Sequence, residues 1–200
     1  MKIIIIGATG TIGRAITENL ATRHDIIRVG KSSGDYQVDI TNEQDIIKLF
    51  EKIGPFDALL SATGQTKLLA LQYFKQADWE VGLNNKLMGQ VNLVTHGLKS
   101  INEGGSFTLM TGSLNHEPIK FGASAAMING ALEGFVKSAS LEMPSNIRIN
   151  AVSPTVLAES MNHYEEYFRG YTPTSAKSVA KAYEKSVEGL QTGQIYRVGW

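Results

Sequence analysis

Four consecutive isoleucines, Ile3 to Ile6, run directly into Gly7-Ala8-Thr9-Gly10-Thr11-Ile12-Gly13. A run of β-branched residues has no polar face, so the strand it forms must be covered on both sides, as in a parallel sheet. The G-x-x-G-x-x-G spacing then describes a tight turn into a helix, which the pattern places at roughly Ile12 to Thr22. Glycines at a helix N-terminus leave the amides uncovered, so an anion can approach the backbone closely. Gly7 suits the tight turn, Gly10 the approach of a diphosphate, and Gly13 close packing of helix on strand.

The rest of the chain alternates strand and helix patterns. Strands are expected at Asp25 to Val29, Tyr36 to Val38, Asp57 to Ser61, Ser106 to Met110, Ile147 to Val152 and Gln194 to Val198. Helices are expected from a Thr41 N-cap, with Gln44 completing a capping box, to Ile53 before Gly54-Pro55, and over Gln76 to Leu98. Further helices are expected over Ser124 to Glu142, stopped by Met143-Pro144, and over Asn162 to Phe168 and Ser175 to Gly189. Such alternation means βαβ units around a doubly wound, mostly parallel seven-stranded sheet of the Rossmann type, helices on both faces. Residues 1–200 read as one domain, with no internal repeat or linker. The least regular stretch, Pro154 to Pro173, is a candidate lid or partner surface.

Nineteen basic residues balance nineteen acidic ones, which argues against a polyanion-binding surface and so against a nucleic-acid partner. The absence of cysteine excludes disulfides, thiolate metal sites and a cysteine nucleophile. His24, His96, His116 and His163 lack metal-ligand spacing, so no metal is expected. The apolar opening is too short for a signal-peptide core, and no segment approaches the ~18 to 20 apolar residues of a membrane span. The expectation is a cytoplasmic protein without a membrane partner.

Chains of this fold that bind NAD usually carry an acid at the end of the second strand, for the ribose hydroxyls. Here the segment reads Arg28-Val29-Gly30-Lys31-Ser32-Ser33. Lys31 and Ser32, with Arg28, suit a 2′-phosphate, which favours NADP(H) over NAD(H). The alternative is that Lys31 is an ordinary solvated lysine.

The chain as a whole resembles the short-chain dehydrogenase/reductase family. The likeness rests on Gly7 to Gly13, Val38-Asp39-Ile40-Thr41, Ser61-Ala62-Thr63-Gly64, Trp79 to Val94, Thr111-Gly112-Ser113, Ala131 to Ser138 and Ile147 to Pro154, in family order. The resemblance implies that Gly7, Thr9, Gly10, Thr11, Ile12 and Gly13 hold the diphosphate. It implies that Asp39, with Ile40, meets the adenine, that Ser61 to Gly64 line the ribose, and that Pro154 and Val156 meet the nicotinamide. The alternative for Asp39 is a solvated cap before the Thr41 helix.

The family's proton-transfer pair is a tyrosine and a lysine four residues later, one helical turn apart on one face. Counting from Ala131-Leu132-Glu133-Gly134, those positions hold Ala125 and Asn129, and a shift of four places only brings Phe121 to the tyrosine position. The family serine survives as Ser113, and the structural asparagine of the preceding helix aligns with Lys86. Lys86, Ser113 and His116 are therefore the catalytic candidates, with Lys86 as solvated helix lysine and His116 as surface loop histidine the alternatives. Tyr164, Tyr167 and Tyr171 either close over the nicotinamide or pack among themselves, and Glu159 either nears the cofactor or is exposed. The implied activity is hydride exchange between NADP(H) and a small carbonyl or alcohol. The competing readings are a catalytically weak NADP(H)-binding sensor or structural protein and, last, an epimerase or dehydratase. The resemblance also implies a homo-oligomer, paired through the helices Gln76–Leu98 and Ser124–Glu142.

Overall fold

The computed structural model describes all 200 residues. Strands β1 (Lys2–Ile6), β2 (Asp25–Gly30), β3 (Tyr36–Gln37), β4 (Phe56–Ser61), β5 (Ile101–Met110), β6 (Arg148–Pro154) and β7 (Ile195–Val198) form one sheet. Its order is β3-β2-β1-β4-β5-β6-β7 and every pairing is parallel. The isoleucine run does what its composition requires. Ile4 and Ile6 enter one core with α2 (Glu43–Ile53), α4 (Gln90–Gly97) and α5 (Ala123–Ala139). Ile3 and Ile5 enter the opposite core with α1 (Thr11–Leu20) and α7 (Ala176–Glu188). Alternation along one strand thus divides the apolar residues between two helical layers.

The chain leaves β1 for β2 and β3 on one side, then crosses to β4 on the other. That reversal opens a crevice at the carboxyl ends of β1 and β4, where ligands bind in sheets of this kind. Gly7 and Ala62 face each other across it, because β1 and β4 pair in register up to Ile6 and Ser61.

Several expected boundaries shift, each for a local reason. Thr41 is not the cap of α2: its amide and hydroxyl donate to Asp39 Oδ1 at 3.0 and 2.7 Å, and Asn42 Oδ1 accepts from Gln44 N instead. β5 starts at Ile101 rather than Ser106, because Ile101 already pairs with Phe56 and residues 102–105 bulge opposite Asp57 before pairing resumes between Ala58 and Ser106. α5 ends at Ala139, ahead of the proline, and β6 continues to Pro154, paired with β7. The short helix of the irregular segment is α6 (Met161–Tyr164). The long helix expected over Gln76 to Leu98 is α3 (Gln76–Gly82), a π-helical segment over Leu83–Gly89, and α4. No helix is long and apolar enough to cross a membrane.

Tyr183 of α7 is fully buried and ties that layer to the crevice: its phenol donates to the Ser61 carbonyl at 2.5 Å. Tyr183→Phe is expected to lower unfolding stability by about 1–2 kcal/mol. Urea unfolding should show a lower midpoint with an unchanged slope.

Candidate active site

At the mouth of α1, Gly7 takes φ +81°, and a Cβ there would lie 2.6 Å from the Ala62 carbonyl oxygen. A Cβ on Gly13 would lie 2.1 Å from the Gly7 carbonyl oxygen, so the helix can approach the turn this closely only with glycine. Gly10 is the N-cap and offers no side-chain acceptor, and the first turn of α1 carries no acid. The amides of Thr11, Ile12 and Gly13 find no acceptor within the chain. Uncovered donors at the positive end of a helix make a place for an anion.

Two cavities flank this turn. The smaller, about 130 Å³, is lined by Gly7, Gly30, Lys31, Asp39, Ile40, Thr63, Gln65 and Asn85 among others. Within it, Lys31 Nζ lies 2.8 Å from Asp39 Oδ2. The lysine ammonium, with the Thr41 hydroxyl and amide, holds the Asp39 carboxyl at about 2, below the usual carboxylate range. Arg28 and Ser32 do not join it: Arg28 pairs with Asp35 at 2.7 Å, and Ser32 turns its carbonyl to Gln37. Thr63 reaches the cleft, whereas Ala62 and Gly64 serve as packing surfaces for Gly7 and Lys86.

The larger cavity, about 290 Å³, lies at the ends of β5 and β6 and brings together Lys86, Ser113, Ala125, Asn129, Pro154, Thr155 and Val156. Lys86 enters it from the π-helical segment. A wider turn cannot satisfy every backbone carbonyl in the α pattern. Here the Lys86 carbonyl accepts from the buried Gln90 side chain at 2.9 Å. The same amide donates to the Met110 carbonyl (2.9 Å), and its oxygen accepts from the Met110 amide (2.8 Å). Gln90 thereby clamps the widened turn to the end of β5. Lys86 Nζ donates to the Thr111 carbonyl at 2.9 Å, and its stem packs on Gly64, where any Cβ would collide with it. Burial without a carboxylate partner lowers the lysine to about 8.

Ala125 and Asn129 both line this cavity, while Phe121 stands outside it, edge-on to Tyr167. Asn129 Nδ2 donates to the Gly112 carbonyl at 3.1 Å. Its Oδ1 and the Thr155 hydroxyl are buried without a partner in the chain. His116 is not part of the lining. Its Nε2 lies 2.9 Å from Glu133 Oε2, and its ring lies against Trp200. Glu159 is likewise absent, because its carboxylate accepts from the Ala176 amide at the start of α7. The tyrosines divide: Tyr164 lines the cavity beside Phe168, Tyr167 packs on Phe121, and Tyr171 packs on Phe168 while donating to the Glu117 carbonyl.

Sequence reasoning missed Gln90, Asn85 and Glu133. A glutamine in a helix gives no local sign that it is buried, and Glu133 reads as a surface residue until His116 is seen to meet it.

A family model described as enoyl-(acyl carrier protein) reductase matches residues 7–186. The chain belongs to the short-chain dehydrogenase/reductase family. Among curated relatives of this short-chain dehydrogenase/reductase, the 3-oxoacyl-(acyl-carrier-protein) reductase FabG of Aquifex aeolicus (strain VF5) is 26% identical over 175 residues. That match covers 80% of this chain and 65% of the relative, so the chain spans about two thirds of that enzyme's length. Among solved structures, the protein lin1944 from Listeria innocua superposes with a TM-score of 0.97 at 49% identity, covering 99% of both chains. A small-chain dehydrogenase in complex with NADPH shares the fold, with a TM-score of 0.88 at 23% identity, covering 99% of this chain and 96% of that one.

The lowered pKa of Lys86 has a consequence for stability. Above about pH 8 the folded protein releases a proton that the unfolded chain keeps until about 10.5, so stability should rise with pH across that window. Lys86→Met should remove that rise. It should also stabilise the protein at pH 7 by on the order of 1–2 kcal/mol, part of the gain being offset by the unpaired Thr111 carbonyl. Thermal unfolding of both proteins between pH 7 and 10 checks both effects.

Proposed function

We propose that this short-chain dehydrogenase/reductase is an NADP(H)-dependent oxidoreductase that interconverts a small carbonyl compound and its alcohol. The observation that carries this reading is the row of uncovered amides at Thr11, Ile12 and Gly13 between two cavities, one of them lined by Lys86 and Ser113. The residues present fit a dinucleotide. The glycine cradle is closed to any Cβ at Gly7 and Gly13, and the partnerless Asn129 Oδ1 and Thr155 hydroxyl suit a carboxamide. In this reading the turn holds the diphosphate, the smaller cleft takes the adenosine, and Pro154 and Val156 meet the nicotinamide. Lys31, exposed and able to exchange Asp39 for a phosphate, supports NADP(H) over NAD(H). The NADPH named for the structural neighbour agrees with it.

When bound, the cofactor supplies or accepts the hydride. The chain's own residues do the rest. Ser113 donates a hydrogen bond to the carbonyl oxygen and so orients the carbon. The Lys86 ammonium gives that oxygen its proton during reduction, and the neutral amine takes it back during oxidation. A lysine lowered to about 8 can serve in both directions near neutral pH. The Thr111 carbonyl holds the amine in place, and Gln90 holds the turn that delivers it. A sensor with little turnover is the second reading, favoured by the presence of Ala125 and Asn129, which carry no titratable proton, in the same cavity.

Carbonyl reduction should fall as pH rises through about 8, and alcohol oxidation should rise over the same range. Lys86→Met should flatten both profiles and lower kcat by about 10²–10⁴-fold. Saturable NADPH binding with no turnover on any carbonyl would favour the sensor. Full activity in both Lys86→Met and Ser113→Ala would remove these residues from the mechanism.

The same reading includes a homodimer paired through α3, the π-helical segment and α5. Val81, Met88 and Met127 are apolar and exposed on those helices, and a Cβ on Gly134 would meet nothing within 4 Å. Sedimentation should give a dimer at micromolar concentration, and a monomer there would contradict it.

A further inference from the structure

We infer that the substrate of this site is an uncharged ketone or aldehyde with aliphatic or aromatic substituents, not an oxo acid, a sugar or a phosphorylated compound. This rests on the oxidoreductase reading and narrows it.

The larger cavity has two zones. Its inner zone holds the polar groups already assigned: Lys86, Ser113, Asn129 and Thr155. The rest of its lining is mostly apolar, with Leu68, Leu114, Ile119, Leu157, Tyr164 and Phe168 beside the hydroxyls of Thr66 and Ser160. These come from the segments that follow β4, β5 and β6, so apolar surface meets the substrate from three directions. Leu114 directly follows Ser113, so a substituent on the carbonyl carbon meets hydrocarbon one residue from the oxygen-binding hydroxyl.

Lys86 is the sole charged side chain among the lining residues. The surrounding charges are engaged elsewhere. Glu159 binds the Ala176 amide, His116 and Glu133 bind each other, Lys67 pairs with Asp78, and Lys120 lies over the Phe121 ring. Arg169 and Glu117 line a separate cleft. A carboxylate or phosphate on the substrate would therefore lose its hydration with no partner but the amine that must give up its proton. Enclosing an uncompensated charge in apolar surroundings is costly. A polyol gains less, because beyond the inner polar groups the lining offers only the hydroxyls of Thr66, Ser160 and Tyr164, set among leucine, isoleucine and phenylalanine side chains. Apolar substituents instead gain from burial against these walls, and the edge-to-face pairs of Phe168 with Tyr164 and Tyr171 hold an aromatic surface in place.

The test compares cyclohexanone and benzaldehyde with pyruvate, glyceraldehyde and dihydroxyacetone phosphate, at saturating NADPH. The first two should be reduced with kcat/KM at least about tenfold higher, the discrimination expected of pocket contacts. Leu114→Arg, which places a cation in the wall, should raise kcat/KM for pyruvate and lower it for benzaldehyde, with NADPH affinity unchanged. Probe binding, followed by saturation-transfer NMR with and without NADPH, decides the preference of the wall even where turnover is slow. Stronger binding or faster reduction of the charged or polyol probes, equal treatment of all probes, or failure of every probe to bind overturns the inference. Failure of NADPH itself to bind is a separate result, which defeats the oxidoreductase reading and leaves the probe comparison to judge the wall.

Discussion

Backbone meets backbone without side chains between at the carboxyl end of β1, and the rest of the site is arranged around that contact. Gly7 lies against the Ala62 carbonyl and Gly13 lies against Gly7. Any Cβ would force α1 away from the sheet and move its amides off the crevice. The isoleucine strand, buried on both faces, gives this contact a rigid base. Tyr183 fixes the opposite lip through the Ser61 carbonyl. Uncovered amides are thus held at the one point where the strand order reverses, with a cavity on each side.

The second constraint is the π-helical segment. It carries Lys86, whose side chain lines the larger cavity, and the Gln90 side chain donates to the Lys86 carbonyl. The amine meets a carbonyl there and no carboxylate, so its charge is held weakly. That makes it fit for proton exchange near neutral pH, in a cavity where Ala125 and Asn129 have no exchangeable acid to offer. The cavity joins a few polar groups to a mostly apolar lining, supplied by the segments that follow β4, β5 and β6 and by the helices beside them.

Much of this was legible in the sequence because it is local. The isoleucine run, the glycine spacing and the alternation of patterns lead directly to the parallel seven-stranded sheet, and Lys86 and Ser113 do line one cavity. What escaped depends on distant partners. His116 turns away from the cavity because Glu133, on another element, meets it. Thr41 is a local exception: it loses its capping role because Asp39, two residues before it, takes its hydroxyl. The π-helical segment around Lys86 leaves no trace in composition, and the groups it meets, the end of β5 and Gly64, are far along the chain. Lys31 lines the smaller cleft and is a highly exposed lysine paired with Asp39, a partner its own segment does not announce.

The most direct test of the account is an NMR titration of the amide resonances with NADPH. The Thr11, Ile12 and Gly13 amides should shift saturably, with the same midpoint as Lys31 on one side and Thr155 on the other. Spectra of a folded protein in which those three amides stay fixed as NADPH rises to millimolar concentration would contradict it.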